Sequence, residues 1–304
     1  MVQIFIPTLG RESIKHTLDA LKVQSFKDFE IILISKKELN INNVNKIIIL
    51  RGGYFEEAIN LALENLNPDD IALFTDDDAI PSQQWVEGHI EFHDKNPSIY
   101  VASGEVIGEK WKNYPNALFK KFRNTEYMMP YNEKFNEYTG FLTRLGLSVD
   151  REDLGTHNVE KSLAIAGVNM SLKTNFFINY KIPTFSLRGS YNETVLALHG
   201  ISLGGDSATF KGARVYHKGN ESLSRSKDPY IDKYLCLEKH VLPYAVNTIF
   251  KIDTTMLKEF ISLLDDGVPK LGLSLALKGI TNNYTFSQFR QELIKLYELR
   301  EAIL

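Results

Sequence analysis

The chain has 304 residues, 43% hydrophobic, 24% charged and 11% aromatic, with 19 Gly and 10 Pro. This make-up gives a folded protein of two domains or one large α/β unit and excludes a disordered or collagenous chain. Lys and Arg number 35 against 38 Asp and Glu, a net charge of −3, which offers nucleic acid no broad basic surface. A single cysteine, Cys236, rules out an intrachain disulfide or a cysteine-rich zinc site and suits a reducing, cytoplasmic setting. Its neighbours Tyr234, Leu235 and Leu237 predict core packing for the thiol.

The first hundred residues alternate short β-branched runs with helix-period segments, the pattern of a mostly parallel sheet covered by helices. Strands are predicted over Val2–Pro7, Glu30–Ser35, Lys46–Leu50 and Ile71–Thr75. Ile14, Leu18 and Leu21 space one apolar helix face, and Phe55, Ile59, Leu63 and Leu66 another. After the last strand stand Asp76, Asp77 and Asp78, then Pro81 and a helical pattern near residues 83–96. The acids therefore lie at a strand's carboxyl end, where open α/β sheets form ligand crevices.

Residues 110–161 have weak periodicity and many aromatics, among them Tyr114, Phe119, Phe122, Tyr127, Tyr131, Tyr138 and Phe141. They predict a long excursion over one sheet face, its rings open to two uses: platforms for a sugar or lipid carrier, or core filling. Ser162–Lys173 and Ala208–His217 read as returning strands, with a short helix near Glu193–His199 between them. From Pro229 the pattern turns helical. Met256, Leu257, Phe260, Ile261 and Leu264 share a face, and Thr285 with Gln288 forms a capping-box pattern before Phe289, Leu293 and Leu296. The expected division is an α/β unit over 1–228 and a helical extension over 229–304. That extension carries nine basic and nine acidic residues, so it has no polybasic membrane anchor. No transmembrane span is expected; apolar Leu271–Leu277 leaves peripheral membrane contact or a buried helix.

Three adjacent carboxylates repel one another unless a cation or hydrogen-bond donors offset their charge. In an extended segment Asp76 and Asp78 share a side while Asp77 faces elsewhere, and hard Mg²⁺ or Mn²⁺ takes one or two such carboxylates together with phosphate oxygens. A solvated Asp-rich turn is the alternative.

Several segments carry a resemblance. VQIFIPTLGR (2–11), QSFKDFEIIL (24–33), FTDDDAIP (74–81) with Trp85, GVNMSLK (167–173) and RVYH (214–217) resemble, in order, motifs of the family 2 glycosyltransferases of GT-A fold, over roughly residues 2–226. The resemblance implies an α/β GT-A-type (Rossmann-like) mostly parallel sheet flanked by helices, with the helices after residue 228 as an extension. It implies that Pro7, Thr8 and Arg11 contact the nucleotide, Asp76 the ribose or sugar, and Asp78 and His217 the metal on the diphosphate. Asp77 and Asn169 join the nucleotide-sugar set. YNETVLALH (191–199) is similar to the family's acidic pair before a helix, with Asn192 in the first acid's place, His199 where the family often has Arg, and Glu193 as the base. SKKE (35–38) replaces the family's base-reading acidic stretch, leaving Ser35, Arg51 and Gly52 as donor-side candidates. Ser224, Arg225 and Lys227 would close over diphosphate or form a solvent loop.

The expected activity is metal-dependent inverting transfer, with Mn²⁺ or Mg²⁺, from a nucleotide sugar to a glycan or lipid-linked hydroxyl. A sugar nucleotidyltransferase needs a Gly-rich basic loop after the first strand, which Pro7–Arg11 matches poorly. A binding module without turnover is the other alternative.

Overall fold

β1 (Val2–Thr8) lies inside the sheet and is buried along almost its whole length. Its side chains alternate: Ile4 and Ile6 join one apolar cluster while Phe5 joins another, as a period of two requires. The structure, a computed structural model, describes residues 1–108, 112–151, 158–217 and 226–299.

α1 (Ile14–Lys22), β2 (Phe29–Ser35), β3 (Lys46–Ile49), α2 (Phe55–Leu63) and β4 (Ile71–Phe74) follow. β1 pairs in parallel with both β2 and β4, and β2 with β3. All four predicted strands and both helices are present. α2 stops at Leu63, short of the predicted Leu66, because the chain turns through Asn65, but Leu66 still packs in the core.

β5 (Ala79–Pro81), α3 (Trp85–Lys95), β6 (Ile99–Ser103), β7 (Val106–Gly108), α4 (Asn116–Phe122), β8 (Gly140–Leu142), β9 (Ser148–Asp150) and β10 (Val159–Lys161) come next. Then β11 (Met170–Lys173), α5 (Asn192–Ser202), β12 (Asp206–Phe210) and β13 (Val215–His217) complete the sheets. The main sheet has eight strands in the order β10-β12-β6-β11-β4-β1-β2-β3. β11 runs antiparallel to β4 and β6, so its amino-terminal end meets the carboxyl end of β4.

Three expectations are revised. The excursion is not a loop over one face, since it holds α4, the β8–β9 hairpin and β10 at the sheet edge. Ser162–Lys173 is strand only from Met170, and Ala208–His217 splits between two sheets, β12 in the large one and β13 in a three-stranded one with β5 and β7. β6, which the sequence reading passed over, is an interior strand.

One sheet face packs under α1 and α3 through Leu18, Leu21, Trp85 and Phe92. The other packs under α2, α5 and the carboxyl-terminal helices α6 (Pro229–His240), α7 (Leu242–Val246), α8 (Thr254–Ser262), α9 (Val268–Thr281) and α10 (Phe286–Glu298). α6 starts on the Asp228 cap, and the Thr285–Gln288 capping box is formed. One cluster joins Phe5 and Phe74 of the sheet with Leu237, Phe260, Leu273 and Phe289 of these helices. Burial of such side chains stabilises by about 1.5–3 kcal/mol each. Leu273, Leu275 and Ala276 of α9 are buried, and no described helix is long and apolar enough to cross a membrane. Most of the aromatic stretch fills the core: Phe135, Tyr138 and Phe141 are almost wholly buried.

Candidate active site

β4 delivers Asp76, after which the chain turns through Asp77 and Asp78 into β5. β5 pairs antiparallel with β13, setting Ala79 opposite His217 and bringing that imidazole to the acids across 139 residues. His217 Nε2 lies 3.1 Å from Asp78 Oδ1 and 3.7 Å from Asp76 Oδ2. Ligand atoms of Asp76, Asp78 and His217 lie within 4.8 Å of one another. A hard divalent cation with bonds of about 2.1 Å has adjacent ligands about 3 Å apart, so this donor set fits one.

Asp77 turns the other way. It accepts a 2.7 Å hydrogen bond from the Thr8 hydroxyl and lies 4.0 Å from Arg11 Nη1. Asp76 keeps 39% of its side chain exposed. Burial by the cleft walls raises its pKa; His217 opposes the shift, and Asp78, Glu193 and Asp77 add to it.

The acids open onto a cleft of about 460 Å³. On one side stand Pro7, Thr8 and Arg11 after β1, with Ile34, Lys36, Leu50, Tyr54 and Phe55. Gly167–Val168 forms the back wall, placed there by antiparallel β11 and by the Thr75 hydroxyl, which donates to the Val168 carbonyl at 2.9 Å. Tyr114, Asp150, Glu193 and Lys239 also line the cleft.

Glu193 sits in the first turn of α5, where the helix terminus favours an anion. Its carboxylate rests against Gly167, and a Cβ there would collide with Oε1. Burial raises its pKa, Lys239 pulls it down, and the result is a stronger base than an exposed glutamate. Lys239 donates to the Ser190 carbonyl and lies over the Tyr191 ring.

Pro7, Thr8, Arg11, Asp76, Asp77, Asp78, Glu193 and His217 thus share one cleft. Ser35, Arg51, Gly52 and Asn169 are not among its lining residues. Ser35 is buried at the end of β2, accepting from the Lys37 amide, while its neighbours Ile34 and Lys36 line the cleft. Arg51 and Gly52 are exposed in the following loop. Asn169 lies beneath the site, where Oδ1 accepts from Trp85 Nε1 and His89 Nε2 and Nδ2 donates to the carbonyls of Glu105 and Ala213. All its polar capacity is used in tying α3 to the strands. His199 stacks on Tyr180 and bonds the Phe176 carbonyl instead of facing the cleft. Ser224 and Arg225 lie outside the described residues.

Sequence reading missed Lys36, Tyr54, Asp150 and Lys239 as cleft residues. For Lys239 a signal existed: Glu238 interrupts the apolar stripe of Tyr234, Leu237 and Val241, and buried acids are rarely placed without partners. Tyr114 reaches the cleft as an aromatic wall, its hydroxyl donating to Asp232 at 2.8 Å.

Residues 3–148 match the model of the family described as glycosyl transferase family 2. No curated protein matches the sequence. Among solved structures, the mannosyltransferase PcManGT from Pyrobaculum calidifontis, in complex with GDP-Man and Mn²⁺, is similar with a TM-score of 0.50 at 12% identity, over 99% of this chain and 86% of its own. S. aureus TarS aligns at 14% identity and a TM-score of 0.48 over 95% of this chain, which spans only 54% of TarS. TarS 1–349 in complex with UDP-GlcNAc aligns at 14% identity and 0.48 over 98% of this chain and 91% of its own. At 12% identity the likeness to the mannosyltransferase is one of fold. Residues 3–148 thus carry a family 2 glycosyltransferase domain, and the sheet and cleft around it have the GT-A plan.

Proposed function

We propose that the chain transfers a sugar, with inversion, from a nucleoside-diphosphate donor to an acceptor hydroxyl. The observation that carries this reading is the shared cleft of Asp76, Asp78, His217 and Glu193. Asp76, Asp78 and His217 hold a divalent cation, and the mixed carboxylate and imidazole set favours Mn²⁺ over Mg²⁺. Bound there, the cation supplies charge neutralisation on the departing diphosphate.

Pro7, Thr8 and Arg11 border the nucleotide, with Arg11 adding positive charge beside it. Ser35, Arg51 and Gly52 stand next to the donor end, and Asn169 supports it from below. GDP-Man and UDP-GlcNAc, carried by the solved neighbours, are the first donors to try. Glu193 takes the proton of the acceptor hydroxyl as that oxygen bonds to the anomeric carbon and the carbon–phosphate oxygen bond breaks. The step is a single displacement with no covalent sugar–enzyme intermediate.

Residues 1–228 form the donor-binding and catalytic unit, and residues 229–304 complete the acceptor wall through Leu235, Lys239 and Leu242. A glycan or lipid-linked acceptor and a cytoplasmic setting belong to the same reading. Calorimetry with Mn²⁺ and nucleoside diphosphate tests it: Asp78→Asn abolishes metal-dependent binding, while Glu193→Gln keeps binding and stops transfer. Full turnover in both variants would falsify the assignment.

A further inference from the structure

The loop that leads into α5 is held from outside by side chains of three helices. Ser186 gives its amide to both carboxylate oxygens of Glu56, each at 3.0 Å, and its hydroxyl to Glu56 Oε1 at 2.6 Å. The next two amides go to Glu238 of α6: Leu187 N at 2.7 Å and Arg188 N at 3.1 Å. The Ser190 hydroxyl reaches the same carboxylate at 3.0 Å. Lys239 takes the Ser190 carbonyl, and the Gly189 amide returns to the Ser186 hydroxyl at 2.9 Å. Glu56 is gripped in turn by Arg290 of α10, whose Nη2 stands at 2.8 Å and whose Nη1 reaches Glu57 at 2.5 Å.

These are costly contacts to build. Glu56 is 1% exposed and Glu238 fully buried, and a buried carboxylate is unfavourable unless donors satisfy it. Burial is the largest influence on Glu56, pushing it up to about 8 against the opposing pull of Ser186 and Arg290. The loop and the carboxylates are therefore conditional on one another: the amides of Ser186, Leu187 and Arg188 donate to the two acids, and the acids have these amides as donors. The loop ends at Tyr191, two residues before Glu193, and Leu187–Tyr191 line the cleft.

We propose that the carboxyl-terminal helices form a polar clasp that sets the position of Glu193, with Glu238 acting directly on the loop and Arg290 acting through Glu56. Both are positioning residues that touch no reacting atom. The inference rests on Glu193 being the base, and its test separates the two ideas.

Three forms of the full chain are compared: Arg290→Met, Arg290→Lys and Glu238→Gln. Each is first shown folded by its near-ultraviolet circular dichroism at 10 °C. Hydrogen exchange is followed in peptides spanning 186–193, calorimetry gives the Kd of UDP or GDP with Mn²⁺, and turnover is nucleoside diphosphate released from UDP-GlcNAc or GDP-Man, whichever the wild type consumes faster. The expected result for Arg290→Met and Glu238→Gln is at least tenfold faster exchange in the loop and a tenfold or larger fall in kcat, with the nucleotide Kd within twofold. Arg290→Lys restores part of both losses. Unchanged loop exchange, or faster exchange with wild-type kcat in the folded variants, overturns the clasp. Glu193→Gln serves as the control: it stops turnover with loop exchange unaltered, and if it keeps turnover the base assignment fails while the exchange result still decides whether the clasp exists.

Discussion

Thr8 donates its hydroxyl to Asp77 across 2.7 Å, and that bond keeps the middle aspartate of the triplet away from the two that face His217. Asp77 is 6% exposed, so its Oδ2 relies on the Thr8 hydroxyl in place of water. Thr8→Val removes the donor but keeps the shape. The expected loss is about 1–3 kcal/mol of stability, the cost of an unsatisfied buried acceptor, read as a lower urea midpoint with unchanged slope. An unaltered midpoint would show that the bond does not hold the turn.

Gly167 is the point where the cleft backbone meets Glu193, and a methyl group there has no room unless the carboxylate moves. Gly167→Ala should therefore lower kcat by tenfold or more, since about 1 Å of misplacement is costly in catalysis, of order a hundredfold. The Kd for nucleoside diphosphate with Mn²⁺, assigned to Pro7, Thr8, Arg11 and the metal-holding residues, should stay within twofold. Equal kcat in the two proteins would mean that Glu193 is free to rotate away without loss.

A chain of neutral side chains runs beneath the site. His89 Nε2 donates to Asn169 Oδ1 at 2.8 Å, His93 Nδ1 donates to the Ile99 carbonyl at 3.2 Å, and the Ser171 hydroxyl lies between the other two ring nitrogens, 2.9 Å from His89 Nδ1 and 2.8 Å from His93 Nε2. Burial pulls His89 down to about 4 and His93 to about 3. Below pH 6.5 the unfolded chain takes up protons that the native imidazoles refuse, so these groups cost stability as pH falls. Buried acids such as Glu56 act in the opposite sense, and a variant isolates one histidine. Relative to wild type, His93→Gln should lose less stability on acidification, by about 1.4 kcal/mol per pH unit below 6.5. Urea unfolding at pH 7, 6 and 5 measures the difference, and parallel curves would refute a neutral His93.

Cys236 lies on α6 with its thiol pushed up to about 12, first by burial and then by Asp232. The thiolate is the reactive form. Native protein at pH 8 should take up iodoacetamide at least a hundredfold more slowly than urea-unfolded protein, as followed by intact mass. Comparable rates would place the thiol in solvent.

Much of this site was legible in one dimension. The short apolar runs placed Val2–Pro7 and Ile71–Thr75 as strands to within a residue, and the acids directly after Thr75 could only emerge at a sheet edge. The capping-box signal at Thr285 likewise placed a helix start, because a cap is a contact between near neighbours in sequence. What the chain order did not reveal are the long-range pairings. His217 reaches Asp78 through a β5–β13 ladder of three residues, too short for a periodic signal. Ser35, Arg51 and Gly52 carried motif or loop arguments, yet cleft lining passes to Ile34, Lys36, Leu50 and Tyr54, since strand pleat and helix rotation select which neighbour faces inward. Glu238, Lys239 and Arg290 gain their meaning only when the carboxyl-terminal helices dock, for a buried carboxylate and the loop amides that satisfy it are about 50 residues apart along the chain. Local patterns write the elements; the packing of one apolar core across the whole chain decides which charges meet.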